Sequence, residues 1–476
     1  MPTMQYISTR GSMDPASFSE ILITGLAPDG GLTVPVEMPR LSHSTIESWR
    51  QLSYPELAAR VIALYWPEIP EADLLQLTRK AYGEQFDDAR VVPVTELWPG
   101  FGLVGLSEGP TLAFKDMAMQ FLGEAIPYVL AQTGGKLNII GATSGDTGSA
   151  AEYAFRGKDR TSVIMLSPRG RMSDFQRAQM YSLTDANVHN VVIDGVFDDC
   201  QNLMKELNAD LPFKAQHSLG AVNSVNLGRV AAQSVYYFWA WLRITDALPD
   251  TERQQQHVSF TVPSGNFGNV LSGYYAKKLG VPIAKLVIAT NENNVLHELV
   301  TTGYYRPRAA ADTFITSSPS MDISKASNLE RLIYEMLGSD PEALKAAFQE
   351  LDDTGQIDLT AQLAQLSTQF KIFSATSTHA DRVATIKEVY DRTGVVIDPH
   401  TADGVKCALP HLTADTPMYV METAKPQKFS ETVTEALGFA APLSQQMQHM
   451  LQLPQYTTEL PVDSEKLREF VAANAL

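Results

Sequence analysis

The stretch Leu137-Asn138-Ile139-Ile140-Gly141-Ala142-Thr143-Ser144-Gly145-Asp146-Thr147-Gly148 decides the fold class of this 476-residue chain. It begins with a short apolar run, 137–140, that is typical of a buried strand. Small and hydroxyl residues follow, and a helical pattern runs over 147–155. Free N–H groups in such a loop, together with the helix start, can hold a carboxylate. An ordinary capped turn, with Thr143 or Asp146 as the N-cap, explains the same residues equally well.

The flanking sequence continues this alternation of short β-branched runs and amphipathic segments. We predict strands at 162–166, 191–193, 258–262 and 286–289, and helices at 175–183, 198–207, 226–242 and 270–279. The alternation predicts a doubly wound α/β enzyme. Helical patterns at 53–64 and 72–81 instead predict a small, mainly helical N-terminal domain. We therefore expect three domains: residues 1–92, a smaller α/β domain over 93–225 and a larger α/β domain over 226–476.

Charge, cysteine content and histidine spacing limit the kinds of partner, compartment and metal site that this chain can have. The net charge of −17 argues against nucleic-acid and anionic-membrane partners. Cys200 and Cys407 form neither a CxxC pair nor a disulfide framework, which fits a reducing cytoplasm. The N-terminus has no signal-peptide pattern, and no run of about eighteen apolar residues occurs. Since the histidines show no HExxH or paired spacing, we expect no metal site. The expectation is a cytoplasmic enzyme, with a monomer favoured.

A lone lysine interrupts the apolar stretch 109–119, GPTLAFKDMAM. A helix that begins near Thr111 would place Lys115 in its first turn, facing inward. Burial and the positive end of the helix dipole would both lower the pKa of this amine from its usual value of about 10.4. An uncharged amine is a nucleophile that can condense with an aldehyde. The simpler interpretation is a lysine that reaches the surface or pairs with Asp116.

Two later loops also follow predicted strands. In Pro263-Ser264-Gly265-Asn266-Phe267-Gly268-Asn269, two glycines and a run of free amides can form a phosphate nest at a helix start, or simply a tight turn. The Walker pattern is missing, so a permanently bound phosphate fits better than nucleotide hydrolysis. In Val420-Met421-Glu422-Thr423-Ala424-Lys425-Pro426, the hydroxyl of Thr423 can face a heteroaromatic nitrogen, although a turn or cap role is the simpler interpretation.

A third glycine pattern is rejected as a nucleotide site. Gly100, Gly102 and Gly105 spell GxGxxG, but they follow Trp98-Pro99 and lead into Gly109-Pro110. A dinucleotide fingerprint needs a strand before it and a helix after it.

With GPTLAFKD, GATSGDTGSAA, PSGNFG and a late Thr-Ala-x-Pro in this order, the chain resembles the threonine synthases of the long bacterial and fungal type. The likeness runs from 8–11 and 25–32, through 223–226 and 320–323, to Thr423 and Phe429, and so covers most of the chain. It implies the fold of the tryptophan synthase β-subunit group, with pyridoxal phosphate as cofactor. It also implies conversion of O-phospho-L-homoserine and water into L-threonine and phosphate.

The resemblance implies roles for individual residues. Lys115 matches the lysine that holds the cofactor covalently and acts as the base, and Thr423 matches the residue facing the pyridine nitrogen. The phosphate loop corresponds to Gly265, Asn266, Phe267, Gly268 and Asn269. The loop beside the ring and the substrate carboxylate corresponds to Thr143, Ser144, Asp146 and Thr147. Further substrate-binding candidates are Asn226 and, as cations for the substrate phosphate, Arg229, Lys325 and Arg171.

Three positions depart from the usual family pattern. Glu108 and Lys425 stand where histidines are usual, and Asn269 stands where aspartate is usual. Two alternatives stay open at this point. One is a dehydratase or cysteine synthase of the same fold, although those lack the N-terminal APDGGL turn. The other is a non-catalytic protein that binds a phosphate ligand or pyridoxal phosphate.

Overall fold

The computed structural model describes residues 4–143, 145–170, 172–221 and 223–476. Its strands are β1 (Tyr6–Ser8), β2 (Thr33–Pro35), β3 (Val94–Trp98), β4 (Phe101–Gly105), β5 (Leu137–Ala142), β6 (Thr161–Pro168), β7 (Val188–Ile193), β8 (Leu219–Gly220), β9 (Val258–Pro263), β10 (Ile283–Thr290), β11 (Tyr304–Tyr305), β12 (Ile357–Asp358), β13 (Ile372–Thr376), β14 (Met418–Glu422) and β15 (Thr458–Leu460).

The α-helices are α1 (Phe18–Thr24), α2 (His43–Ser48), α3 (Tyr54–Ile62), α4 (Glu71–Ala81), α5 (Lys115–Thr133), α6 (Asp146–Phe155), α7 (Asp174–Tyr181), α8 (Phe197–Ala209), α9 (Leu211–Gln216), α10 (Leu227–Ile244), α11 (Asp250–Arg253), α12 (Gly268–Leu279), α13 (Val295–Thr302), α14 (Leu329–Met336), α15 (Pro341–Thr354), α16 (Leu363–Gln365), α17 (His379–Thr393), α18 (Pro399–Ala408), α19 (Ser430–Leu437), α20 (Gln445–Met450) and α21 (Ser464–Asn474). Short 3-10 helices include Pro319–Met321 and Pro426–Phe429. Within the described ranges, no helix is long and apolar enough to cross a bilayer.

Two sheets confirm the predicted α/β class. The larger sheet has the strand order β13-β10-β9-β14-β4-β3, with every neighbouring pair parallel except the β3–β4 hairpin. The smaller sheet has the order β15-β7-β6-β5-β8 and is parallel throughout. All residues of β6 and β9 are buried, as expected for parallel strands covered by helices on both faces.

The predicted domain boundaries need correction at two places. Strands β3 and β4, within 93–225, belong to the larger sheet, because β4 pairs with β14. Strand β15, within 226–476, belongs to the smaller sheet, because it pairs with β7. The chain therefore forms the first two strands of the larger sheet, then most of the smaller sheet. It next completes the larger sheet and finally adds β15 to the smaller one. Pairings between strands so distant in sequence leave no local signal in the hydrophobic pattern.

Most predicted elements are confirmed within a few residues at each end. The first ninety residues hold α1 to α4 and the small β1–β2 sheet, which pack into one hydrophobic core with α5 and α10. The rejected GxGxxG pattern lies in the β3–β4 hairpin, with Gly100 at the turn in the left-handed region (φ 74°). Since β9 and β14 are parallel neighbours, the loops that carry Gly265 and Thr423 meet at one edge of the larger sheet.

Candidate active site

Lys115 is the first residue of α5, four positions later than the predicted helix start. The helix begins late because Leu112 adopts a left-handed conformation (φ 58°). In addition, Asp116 accepts hydrogen bonds from the backbone N–H and the hydroxyl of Thr111, at 2.8 and 2.7 Å. Gly109 is required here, since a Cβ atom at this position would lie 2.5 Å from the Cβ of Asp116. The prediction that Lys115 lies in the first turn is confirmed.

Backbone hydrogen bonds join the Lys115 segment to the Thr423 loop. The N–H of Phe114 donates to the carbonyl of Thr423 at 2.8 Å, and the N–H of Lys425 donates to the carbonyl of Leu112 at 3.1 Å. Thr423 is 6% exposed. Two segments about 300 residues apart in sequence are therefore held side by side, with Thr423 next to the residue that precedes Lys115.

The Lys115 amine has an unusually low pKa of about 8. Burial is the main cause, and the nearby cations Lys428 and Arg229 lower the pKa further, whereas the carboxylates of Asp146 and Asp116 raise it. The helix start adds its positive dipole end. Such an amine is partly uncharged near neutral pH and can act as a nucleophile.

Asp146 lies at the centre of a buried polar network. Its Oδ1 is 2.7 Å from Nζ of Lys428, and its Oδ2 accepts a hydrogen bond from the hydroxyl of Ser320 at 3.1 Å. Burial alone would raise the pKa of Asp146, but the charges of Lys428 and Lys115 hold it well below its usual range. Asp146 is therefore an anion that links α6, beside the smaller sheet, to the two 3-10 helices that carry Ser320 and Lys428.

The predicted phosphate loop joins β9 to α12. Phe267 caps the helix in a left-handed conformation (φ 65°), so consecutive N–H groups of the loop can converge on an anion. A Cβ on Gly265 would lie 2.7 Å from Cγ1 of Ile323, so the neighbouring 321–323 segment leaves no room for a side chain. Ser320, directly before this segment, contacts Asp146 and thereby connects the neighbourhood of the phosphate loop to the Lys115 network.

Asn269, the last residue of this loop, and Arg229 on α10 are both buried. Oδ1 of Asn269 accepts hydrogen bonds from Tyr236 and Tyr237 at 2.7 and 2.9 Å, while its Nδ2 has no partner among the described residues. Arg229 is 5% exposed and takes part in no ion pair within the described chain. Burial lowers its pKa to about 10. A buried guanidinium without a carboxylate partner is a strong candidate for binding an anion.

Several other predicted residues take different places. Asn226 caps α10: its Oδ1 accepts from Gly228 N–H and its Nδ2 donates to the Leu22 carbonyl, both at 2.9 Å, so both ends of its amide are engaged by the protein. Lys325 is exposed and lines a separate cavity of about 280 Å³ with Arg10 and Glu330. The structure does not bring these two residues into the Lys115 network.

The loop after β5 is partly engaged in capping. The Thr143 hydroxyl accepts hydrogen bonds from the N–H groups of Gly145 and Gly148 at 3.0 and 2.9 Å. The N-cap of α6 is Gly145, so the expectation of Thr143 or Asp146 as the N-cap is wrong, although Thr143 does bind the first turn. Thr147 is exposed on the first turn of α6. Ser144 and Arg171 lie outside the described residues.

Sequence reasoning missed three residues of the network: Lys428, Ser320 and His400. The His400 ring accepts the N–H of Ser320 on Nε2 at 3.1 Å and contacts Asp398 through Nδ1 at 2.7 Å, so it holds the Ser320 segment in place. Lys428 is fully buried. The available signal for Lys428 was its position directly before Phe429, two residues beyond the 420–426 loop.

Two of the three departures from the family pattern contact each other. Lys425 forms an ion pair with Glu108 and lies 3.6 Å from Glu422. Burial raises the pKa of Glu422 to about 7, although Lys425 opposes this. The replacements at 108 and 425 therefore form a matched pair rather than two isolated changes.

The residues present fit pyridoxal phosphate. The Lys115 amine suits an aldehyde, and the 265–269 loop suits a phosphate. Near that loop, the buried Ser264 Oγ and Asn269 Nδ2 have no partner within the described chain. A hydroxyl at Thr423 suits a pyridine nitrogen that is not required to carry a proton. The amine and the hydroxyl lie on adjoining segments, as one small rigid cofactor requires.

Comparison with known proteins points in one direction. Three family models match the chain: threonine synthase N terminus over residues 5–82, pyridoxal-phosphate dependent enzyme over 106–416, and threonine synthase C-terminal over 401–471. The chain is 47% identical to a threonine synthase of Methylobacillus glycogenes, over 98% of this chain and 99% of that protein. It is also 47% identical to one of Corynebacterium glutamicum, over 98% of each. The crystal structure of a PLP-bound threonine synthase from Brucella melitensis has a TM-score of 0.94 and 41% identity, over 99% of both chains.

Proposed function

The chain belongs to the threonine synthase family of pyridoxal-phosphate-dependent enzymes, and from this premise we propose that it converts O-phospho-L-homoserine and water into L-threonine and inorganic phosphate. This is the last step of threonine biosynthesis, catalysed by a carbon–oxygen lyase that acts on phosphates. The proposal includes a cytoplasmic enzyme that works as a monomer.

The observation that carries the proposal is the Lys115 amine. It combines a pKa of about 8 with a position beside Thr423 and within reach of the charges of Asp146 and Arg229. Bound pyridoxal phosphate supplies an electron-withdrawing ring that stabilises negative charge developing on the substrate. Lys115 is the residue that would hold the cofactor through its aldehyde carbon.

Lys115 would also carry the protons of the reaction. As a base of lowered pKa, it removes the proton from Cα and then one from Cβ. The phosphate then leaves from Cγ, which takes up a proton and becomes the methyl group of threonine. Water adds its oxygen at Cβ, a proton returns to Cα, and the sum of atoms is threonine plus phosphate.

The other residues would bind and orient. The N–H groups of the 265–269 loop hold the cofactor phosphate. Arg229 supplies positive charge for a phosphate group in an otherwise acidic chain, and its burial without an anionic partner supports this choice over the exposed Lys325. Thr423 would face the ring nitrogen with a neutral hydroxyl, which would favour elimination and replacement over chemistry that requires a protonated ring.

The test is phosphate release from O-phospho-L-homoserine by the purified holoenzyme, measured together with keto-acid formation from serine and threonine. We expect stoichiometric phosphate and threonine, and no keto acid. The Lys115→Ala variant should lose the visible absorbance of the bound cofactor together with activity. Keto-acid formation without phosphate release would instead indicate a dehydratase, and retained absorbance in Lys115→Ala would refute the role of this lysine.

A further inference from the structure

Lys428 is a buried charged residue that none of the roles above uses. It lies in the 3-10 helix Pro426–Phe429, and its side chain is 0% exposed. Its Nζ is 2.7 Å from Asp146 Oδ1 and donates a hydrogen bond to the Thr111 carbonyl at 2.8 Å. Thr111 precedes α5 and Asp146 begins α6, so Lys428 binds segments on two sides of Lys115.

Four charged groups act on the Lys115 amine, and each lies on a different helix. They are Asp146 on α6, Lys428 on the 426–429 helix, Arg229 on α10 and Asp116 on α5. The two carboxylates favour the ammonium form of Lys115, and the two cations disfavour it. Asp146 exerts the largest of these charge effects. Without a competing cation, Asp146 would therefore pair with Lys115 and hold it as an unreactive ammonium group.

Lys428 prevents this pairing in two ways. Its ammonium group occupies Oδ1 of Asp146, while Ser320 occupies Oδ2. The positive charge of Lys428 also disfavours the ammonium form of Lys115. We propose that Lys428 is a positioning residue that engages the Asp146 carboxylate and so increases the uncharged, reactive fraction of the Lys115 amine. This inference rests on the proposed function only in that Lys115 is the reacting amine.

A purely structural ion pair would make a different prediction. Loss of Lys428 would then lower stability without changing the protonation of Lys115. The two cases are separated by the pH dependence of Lys115 acetylation with acetic anhydride, in the full-length chain freed of cofactor and quantified by mass spectrometry of the Lys115 peptide. This readout does not depend on catalysis.

In Lys428→Met, which keeps the side-chain volume, we expect the pH of half-maximal acetylation to rise by about one unit, so that labelling at pH 7 falls about tenfold. Lys428→Arg keeps the charge and should stay within about threefold of the wild type. Lys425→Met is the matched control, because Lys425 pairs with Glu108 rather than with Asp146. It should leave the midpoint unchanged.

An unchanged midpoint in Lys428→Met, or an equal shift in Lys428→Arg, would overturn the inference. If Lys428→Met does not fold, Asp146→Asn decides, because loss of the carboxylate should lower the midpoint and increase labelling at pH 7. No decrease in the midpoint there would also overturn it. Failure of the proposed function is a separate result, namely no phosphate release by the holoenzyme whatever the acetylation midpoints.

Discussion

Glu152, on α6 behind the active site, gives the sharpest stability prediction. Its side chain is completely buried, and neither carboxylate oxygen has a hydrogen-bond partner among the described residues. Burial raises its pKa well above the usual range. A neutral carboxyl that ionises only in the unfolded chain makes folding take up a proton, so the free energy of unfolding falls as pH rises.

The size of the effect follows from this linkage. Each pH unit above the usual glutamate pKa of about 4.3 costs about 1.4 kcal/mol, until the folded-state carboxyl also ionises. The penalty at pH 7 is therefore at most about 3.7 kcal/mol. The Glu152→Gln substitution removes this penalty, and the new amide can donate to the unpartnered Oδ1 of Asn190, whose side chain faces the carboxyl.

We expect Glu152→Gln to stabilise the protein by about 2–3 kcal/mol at pH 7 and by almost nothing near pH 4.5. The measurement is urea unfolding over this pH range, followed by circular dichroism. Glu206→Gln, an exposed glutamate of the same domain, is the control and should follow the wild type. Parallel pH dependences for the wild type and Glu152→Gln would refute the argument that Glu152 is buried in its neutral form.

Three further predictions concern the site. Lys425→Gln should destabilise the protein by about 3 kcal/mol and Glu108→Gln by about 1 kcal/mol, as measured by urea unfolding, because one lysine serves two carboxylates; equal losses would contradict this. Gly265→Ala should weaken cofactor binding at least about tenfold in equilibrium dialysis, since the loop has no room for a Cβ; unchanged affinity would remove the phosphate role. Arg229→Met should raise the KM for the phosphorylated substrate about tenfold, whereas Lys325→Met should stay within about twofold; the reverse order would exchange their roles.

The sequence was most informative where the structure is local. Strand β6 contains the apolar run 163–166, and β9 alternates apolar and hydroxyl residues. The loops after them carry glycine and hydroxyl residues, so both strands and loops could be predicted from nearest neighbours. Lys115 was singled out because a lone lysine in an apolar helix start is unusual whatever the fold, and the family resemblance then gave its role.

The features that could not be predicted from the sequence are contacts between residues far apart in the chain. Nothing near Lys428 indicates that Asp146 is its partner, because 282 positions separate them and only tertiary packing joins them. Asn226 was selected from a family motif, yet its amide is used for capping and for holding Leu22. The Glu108–Lys425 pair shows the same limit, since each residue alone was simply an unusual substitution.

Because Phe114 is hydrogen-bonded to Thr423, the site around Lys115 can form only late in translation. Strand β14 lies between β4 and β9, so the larger sheet stays divided until residues 418–422 have left the ribosome. The reactive lysine emerges early, but its neighbours Thr423 and Lys428 come about 300 residues later. A nascent chain therefore carries an incomplete site throughout most of its translation, and a reactive amine is assembled only when the larger sheet closes.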